Sequence, residues 1–128
     1  MKYYIDKKLA IGFDEAVSKV VEALKVEGFG VLAEINLHEK MKEKLNVDFR
    51  KYKILGACNP GYSYRALQYE DKIGTMLPCN VIVQELAENE IEVAAVDPIA
   101  SMMAIDNPNL ESIATEVKEK LKRVIFSL

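Results

Sequence analysis

Apolar residues recur along this chain with two periods, and the switch between them marks out strands and helices. In residues 2–9, KYYIDKKL, one side carries Tyr3, Ile5, Lys7 and Leu9 and the other Tyr4, Asp6 and Lys8, which predicts a strand with one wetter face. From Phe13 the period lengthens. Phe13, Ala16, Val17, Val20, Val21 and Leu24 recur at three and four, predicting an amphipathic helix that stops at Gly28. Residues 30–37, GVLAEINL, alternate again as a second strand. In 38–47, HEKMKEKLNV, only Met41 and Leu45 form an apolar stripe, so a short exposed helix or a mobile connection is expected there.

Residues 52–58, YKILGAC, are apolar without alternation, the pattern of a strand buried on both faces. A helix is expected from Pro60 to Ile73, then two strands, NVIVQEL and EIEVAAV, close enough around Glu88 and Asn89 to form a hairpin. Asp97 and Pro98 cap an apolar helix, PIASMMAI. Asn107 and Pro108 open a long one whose Leu110, Ile113, Ala114, Val117, Leu121, Val124 and Ile125 make a buried face. This order predicts an α+β fold: a two-layer sandwich with a mixed sheet of about five strands and three or four helices packed on it. No linker, low-complexity tract or repeat divides residues 1–128, which read as a single domain.

Composition narrows the function classes. With 128 residues, half of them apolar, the chain can bury roughly two thirds of its unfolded surface and needs neither disulfide nor metal to fold. Its 17 Lys and Arg against 20 Asp and Glu give a formal charge of −3, which argues against a nucleic-acid partner. The densest cationic stretch, VKEKLKR at 117–123, interleaves Glu and apolar residues as a solvated helix face does. No apolar run is long enough to cross a bilayer, and Met1 and Lys2 are followed at once by an alternating segment. The expected setting is the cytoplasm, with free thiols and no membrane partner.

Candidate chemistry concentrates at the turn after Cys58. Asn59 suits an N-cap and Pro60 a first helical residue, so Cys58 falls just before a helix start. The residues that follow, Pro60, Gly61, Tyr62, Ser63, Tyr64 and Arg65, hold no carboxylate, whereas the first helix begins with Asp14 and Glu15. Free amides, a glycine, Ser63 and a nearby arginine suit a small anion such as phosphate or carboxylate. The positive end of the helix would also make Cys58 more nucleophilic. The plainer alternative is that Cys58 is a small buried hydrophobe and Arg65 pairs with a surface carboxylate.

Cys58 and Cys79 lack the spacing of a redox or zinc motif, and His38 is the only histidine, so no metal site is assigned. A Cys/His or Ser/His arrangement would need His38 to meet Cys58 or Ser63 across the fold, and the glycines match no nucleotide motif. No cofactor and no reaction is assigned. The helix through Met102 and Met103 is apolar almost all round and needs cover on several sides, by the sheet or by a second subunit.

YKILGACNPGYSYRAL, IGTMLPCNVIV and VAAVDPIASM, in this order, resemble the bacterial and archaeal domain-of-unknown-function family 302. Thr75 and Met76 stand where that resemblance leads one to expect two apolar residues. The likeness implies a small α+β protein, a homodimer, and attention to Cys58, Asn59, Pro60, Arg65, Pro78, Cys79, Asn80, Asp97 and Pro98. It implies little about activity. The expectation is therefore a homodimeric domain binding a small anion or other small molecule through Cys58, Asn59, Gly61, Ser63, Arg65, Cys79 and Asn80. The alternatives are a thiol-redox or metal-handling protein using Cys58 and Cys79, and a non-catalytic interaction module.

Overall fold

Two β-branched, alternating segments form the middle of the sheet. β4 (Cys79–Ala87) and β5 (Glu90–Val96) are a hairpin turned at Glu88 and Asn89, where Asn89 takes a φ of +56° that its short polar side chain tolerates. β3 (Tyr52–Cys58) lies on one side of this hairpin and β1 (Tyr4–Leu9) on the other, with β2 (Gly30–Asn36) outermost beyond β3. The computed structural model, which describes residues 2–128, thus holds one five-stranded sheet in the order β1-β5-β4-β3-β2.

The α+β, two-layer architecture expected from the pattern is the one observed, with one difference. Every neighbouring pair of strands is antiparallel, so the sheet is not mixed. The strand-helix-strand passage through β1, α1 (Phe13–Val26) and β2 reads like a parallel crossover. Its two strands do run the same way, but they occupy opposite edges with three strands between them.

The helical layer covers a single face. α1 buries Phe13, Ala16, Val20 and Leu24, and α5 (Asn109–Phe126) buries the seven residues its periodicity picks out. They meet Leu55, Val81, Val83, Ile91 and Val93, which alternate along β3, β4 and β5. Burying each such side chain contributes about 1.5–3 kcal/mol. α1 ends as a glycine-closed helix should. Gly28, at φ +87°, donates to the Lys25 carbonyl at 3.0 Å, and Phe29 reaches back to Leu24 at 2.9 Å.

α2 (Leu37–Leu45) is the short exposed helix the pattern allows there, with none of its residues buried. Two elements depart from expectation. β3 is covered fully only on the helical side. Leu55 and Ala57 are buried there, Ile54 on the far side is half-buried, and Gly56 is covered by a loop residue, Pro78. The apolar helix after Asp97 is a single turn, α4 (Pro98–Ser101), because only α5 packs closely on it. Beyond that turn the chain unwinds, laying Met102 and Ile105 against the core and leaving Met103 exposed.

Gly56 is the tightest glycine. A Cβ at this position would lie 2.8 Å from Cγ of Pro78, a ring atom that cannot swing aside. Gly56→Ala is therefore expected to destabilise the protein by about 1–3 kcal/mol in urea unfolding. An unchanged midpoint would mean that the loop carrying Pro78 yields freely.

Candidate functional site

β3 ends at Cys58 and α3 (Pro60–Tyr69) starts two residues on. Proline suits the first helical position because it lacks an amide that would go unpaired there. The first helical hydrogen bond runs from the Ser63 amide to the Asn59 carbonyl, at 3.0 Å. The amides of Gly61 and Tyr62 precede it and have no helical carbonyl to meet. No acidic residue occupies the first turn, and nothing lies within 4 Å of where a Gly61 side chain would begin.

Asn59 holds the N-cap position in extended geometry, yet its side chain makes no capping bond. Its Nδ2 instead donates to the Glu27 carbonyl at 3.1 Å, beside the Gly28 turn that closes α1. The pairing of Gly30 with Cys58 brings these two turns together. A residue read from the sequence as a cap is thus a brace between α1 and α3.

The half-buried Cys58 thiol lies 3.1 Å from the Ser63 hydroxyl. Cys79 opens β4, pairs with Ala57 and is buried. Burial, and secondly the neighbouring Cys58, push its thiol pKa up to about 11. Ala57 and not Cys58 is its cross-strand partner, yet Cys58 lies near enough to add to that rise. Beneath the α3 start a cavity of about 20 Å³, lined among others by Ser63, Ala66 and Cys79, has room for little more than one water. A ligand of any size would therefore sit outside it, at the amides.

Other expected site residues go elsewhere. Arg65 pairs with Glu116 of α5 at 3.7 Å, both half-exposed, and its guanidinium lies 5.6 Å from the Tyr62 ring centre. Asn80 is exposed on the face of the sheet away from the helices, opposite Gly56. His38 accepts the Tyr52 amide on Nδ1 at 3.0 Å and stands edge-on to Phe13, which places it at the opposite end of β3 from Cys58. No Cys/His pair forms.

The helix-free face also holds side chains that the linear pattern does not assemble. Arg50 Nε donates to Gln84 Oε1 at 2.8 Å, and Gln84 Nε2 donates to Glu92 Oε1 at 2.8 Å. This relay borders a depression of about 360 Å³ walled by Tyr3, Tyr4 and Tyr52, with Asn80 on its rim. The signal for it is the alternation of Tyr4, Asp6 and Lys8, but uniting it with Tyr52 requires the register across β5 and β4.

Residues 5–128 match the model of the family described as Domain of unknown function DUF302. The chain belongs to the DUF302 family. Its fold is similar to the crystal structure of an uncharacterized conserved DUF302 protein from Bacillus stearothermophilus, with a TM-score of 0.90, 28% sequence identity and 98% of each chain covered. No curated protein matches the chain. Among the described residues, no helix of this DUF302 chain is long and apolar enough to cross a membrane.

Proposed function

We propose that this DUF302 protein is a cytoplasmic homodimer that binds a small anion, of the phosphate or carboxylate class, at the start of α3. The observation that carries this reading is a helix start with two unpaired amides, no side-chain cap and no acidic residue, open above Gly61 and flanked by the Cys58–Ser63 pair. Amides held at a helix start meet an anion without reorganisation, and the helix dipole adds to the attraction. Arg65, engaged by Glu116, supplies background positive charge and no direct contact.

Gly61→Asp tests this reading, because the open space admits the side chain while its carboxylate occupies the amides. Phosphate binding, followed by its slowing of Cys58 alkylation, is expected to weaken at least tenfold. Stability should hold or rise by about 0.3–1 kcal/mol, as for any acid placed at a helix start. Arg65→Gln is expected to change binding no more than about threefold, in keeping with an exposed ion pair worth under about 1 kcal/mol. Phosphate and carboxylates that give no saturable effect, or an unaltered response in Gly61→Asp, would sink the proposal. The thiol-redox alternative is less favoured, since both cysteines are free and Ala57, not Cys58, is the cross-strand partner of Cys79.

A further inference from the structure

The depression on the helix-free face of the sheet has no part in the α3 site, and strand alternation explains its shape. On this face β4 presents Asn80, Ile82 and Gln84, and β5 sets Ala94 beside Ile82 and Glu92 beside Gln84. Ile82 and Ala94 are half-buried and form an aliphatic floor, with the small Ala94 making its middle low. The large side chains stand at opposite ends, Tyr4 of β1 near Asn80 and Tyr52 of β3 across from Gln84. They enclose about 360 Å³, within the range of small-molecule sites. From Asn80 to Gln84 the floor runs roughly 13 Å, at about 3.3 Å per strand residue.

The polar groups at the Tyr52 end hold one another in place. Gln84 accepts from Arg50 Nε and donates to Glu92 Oε1, both at 2.8 Å, so its amide is fixed from two sides. The Arg50 guanidinium lies 4.4 Å from the Phe49 ring centre and 5.6 Å from that of Tyr52, which orients it at the border of the depression. The other cations of this face have acidic neighbours. Lys2 pairs with Asp6 at 3.5 Å, and Lys8 is the cross-strand partner of Glu92. Arg50 is bonded to the neutral Gln84 and forms no ion pair among the described residues. With Nε engaged, its two terminal nitrogens remain for a carboxylate, which a guanidinium meets through paired hydrogen bonds.

We propose that this depression binds an aromatic carboxylate, with its ring on Ile82 and Ala94 between the tyrosines and its carboxylate on Arg50. Tyrosine walls favour a ring over an aliphatic chain, because offset and edge-on ring contacts add to the burial of apolar area. Charge favours an acid over an amine. Glu92, the one carboxylate in the lining, already takes the Gln84 amide and faces Lys8. The Tyr4 ring already has the Lys2 ammonium 5.1 Å from its centre. This second site is independent of anion binding at α3 and stands or falls without it.

Fluorescence anisotropy of naphthoate, titrated with the protein, tests the inference, and naphthylmethylammonium serves as the probe of opposite charge. Naphthoate is expected to bind saturably and at least tenfold more tightly than the ammonium. Arg50→Gln should weaken it at least tenfold, and so should Ala94→Met, which raises the floor. Gly61→Asp, which fills the α3 start, should leave it within about twofold. Naphthoate that does not saturate overturns the inference, as does binding that Arg50→Gln leaves unchanged. An ammonium bound as tightly as the acid overturns it too, and would make Glu92 and the tyrosines a cation site. Naphthoate lost only in Gly61→Asp would assign the carboxylate to α3, overturning this inference while supporting the anion reading there. Arg50 is exposed, so Arg50→Gln is expected to fold, and with the two probes it decides the matter even if Ala94→Met unfolds.

Discussion

Asp97→Ala is expected to cost about 3 kcal/mol of stability, in urea unfolding at pH 7. Asp97 is the one buried charged residue among those described, 5% exposed, and its carboxylate holds three partners. It accepts the amides of Ile99 at 2.9 Å and Ala100 at 3.4 Å at the start of α4, and it pairs with Lys118 of α5 at 2.9 Å. Losing a cap costs roughly 1 kcal/mol. Removing one partner of a buried ion pair costs about 3–5 kcal/mol, with the lower end applying here because the Lys118 side chain is a quarter exposed and can turn to water. Asp97→Asn, which keeps an acceptor for the amides, should lose less than the alanine variant. If both variants unfold with the wild type, the α4–α5 junction is held by packing alone.

The same group sets an acid dependence. Burial alone would raise the Asp97 pKa, but the Lys118 hydrogen bond, the Ile99 and Ala100 amides and the Lys118 charge together outweigh it and leave the pKa lowered. A carboxyl with a depressed folded pKa stabilises fully above its unfolded value, near 3.9, and loses that contribution as pH falls through the folded one. The gap between wild type and Asp97→Asn is therefore expected to be constant down to about pH 5 and to close below about pH 4.

Cys79 should resist alkylation in the folded protein by on the order of 100-fold relative to the urea-unfolded chain at pH 8. With its pKa near 11, about one thiol in a thousand is ionised at that pH, against roughly one in ten for an unfolded cysteine at 9.0. Peptide mass spectrometry after iodoacetamide reads the difference directly. The raised value also has a stability consequence. The folded state retains a proton that the unfolded state releases between pH 9.0 and about 11, so stability should fall through that window by about 3 kcal/mol. The pH-dependent difference from Cys79→Ala isolates this effect from the lysines and tyrosines that titrate nearby. Labelling of Cys79 as fast in the folded protein as in urea would mean that β4 opens at its first residue.

Local physics made much of this protein legible in one dimension. The 3.6-residue period of α1 and α5, the two-residue period of β1, the Glu88–Asn89 turn and the Asp97 cap depend on neighbours a few positions away, and all stand where the pattern puts them. The unusual start of α3, without acid and with Pro60 and Gly61 in place, was equally visible. What the pattern left open was which groups distant in the chain meet. Asn59 braces Glu27 because two turns meet across 32 positions, Arg65 answers Glu116 on another helix, and Asn80 faces away from α3 because β3 and β4 pair in one register and not the next. A shift of one residue in that register would have put Asn80 in the core and Cys79 outside. The sequence by itself determined the elements, their buried stripes and the chemistry available at each turn, because those follow from side-chain spacing along one segment. Only the tertiary structure decided the antiparallel order that parts β1 from β2, the uncovered aliphatic face, and which polar groups meet, because these depend on how segments distant in the chain pack against one another.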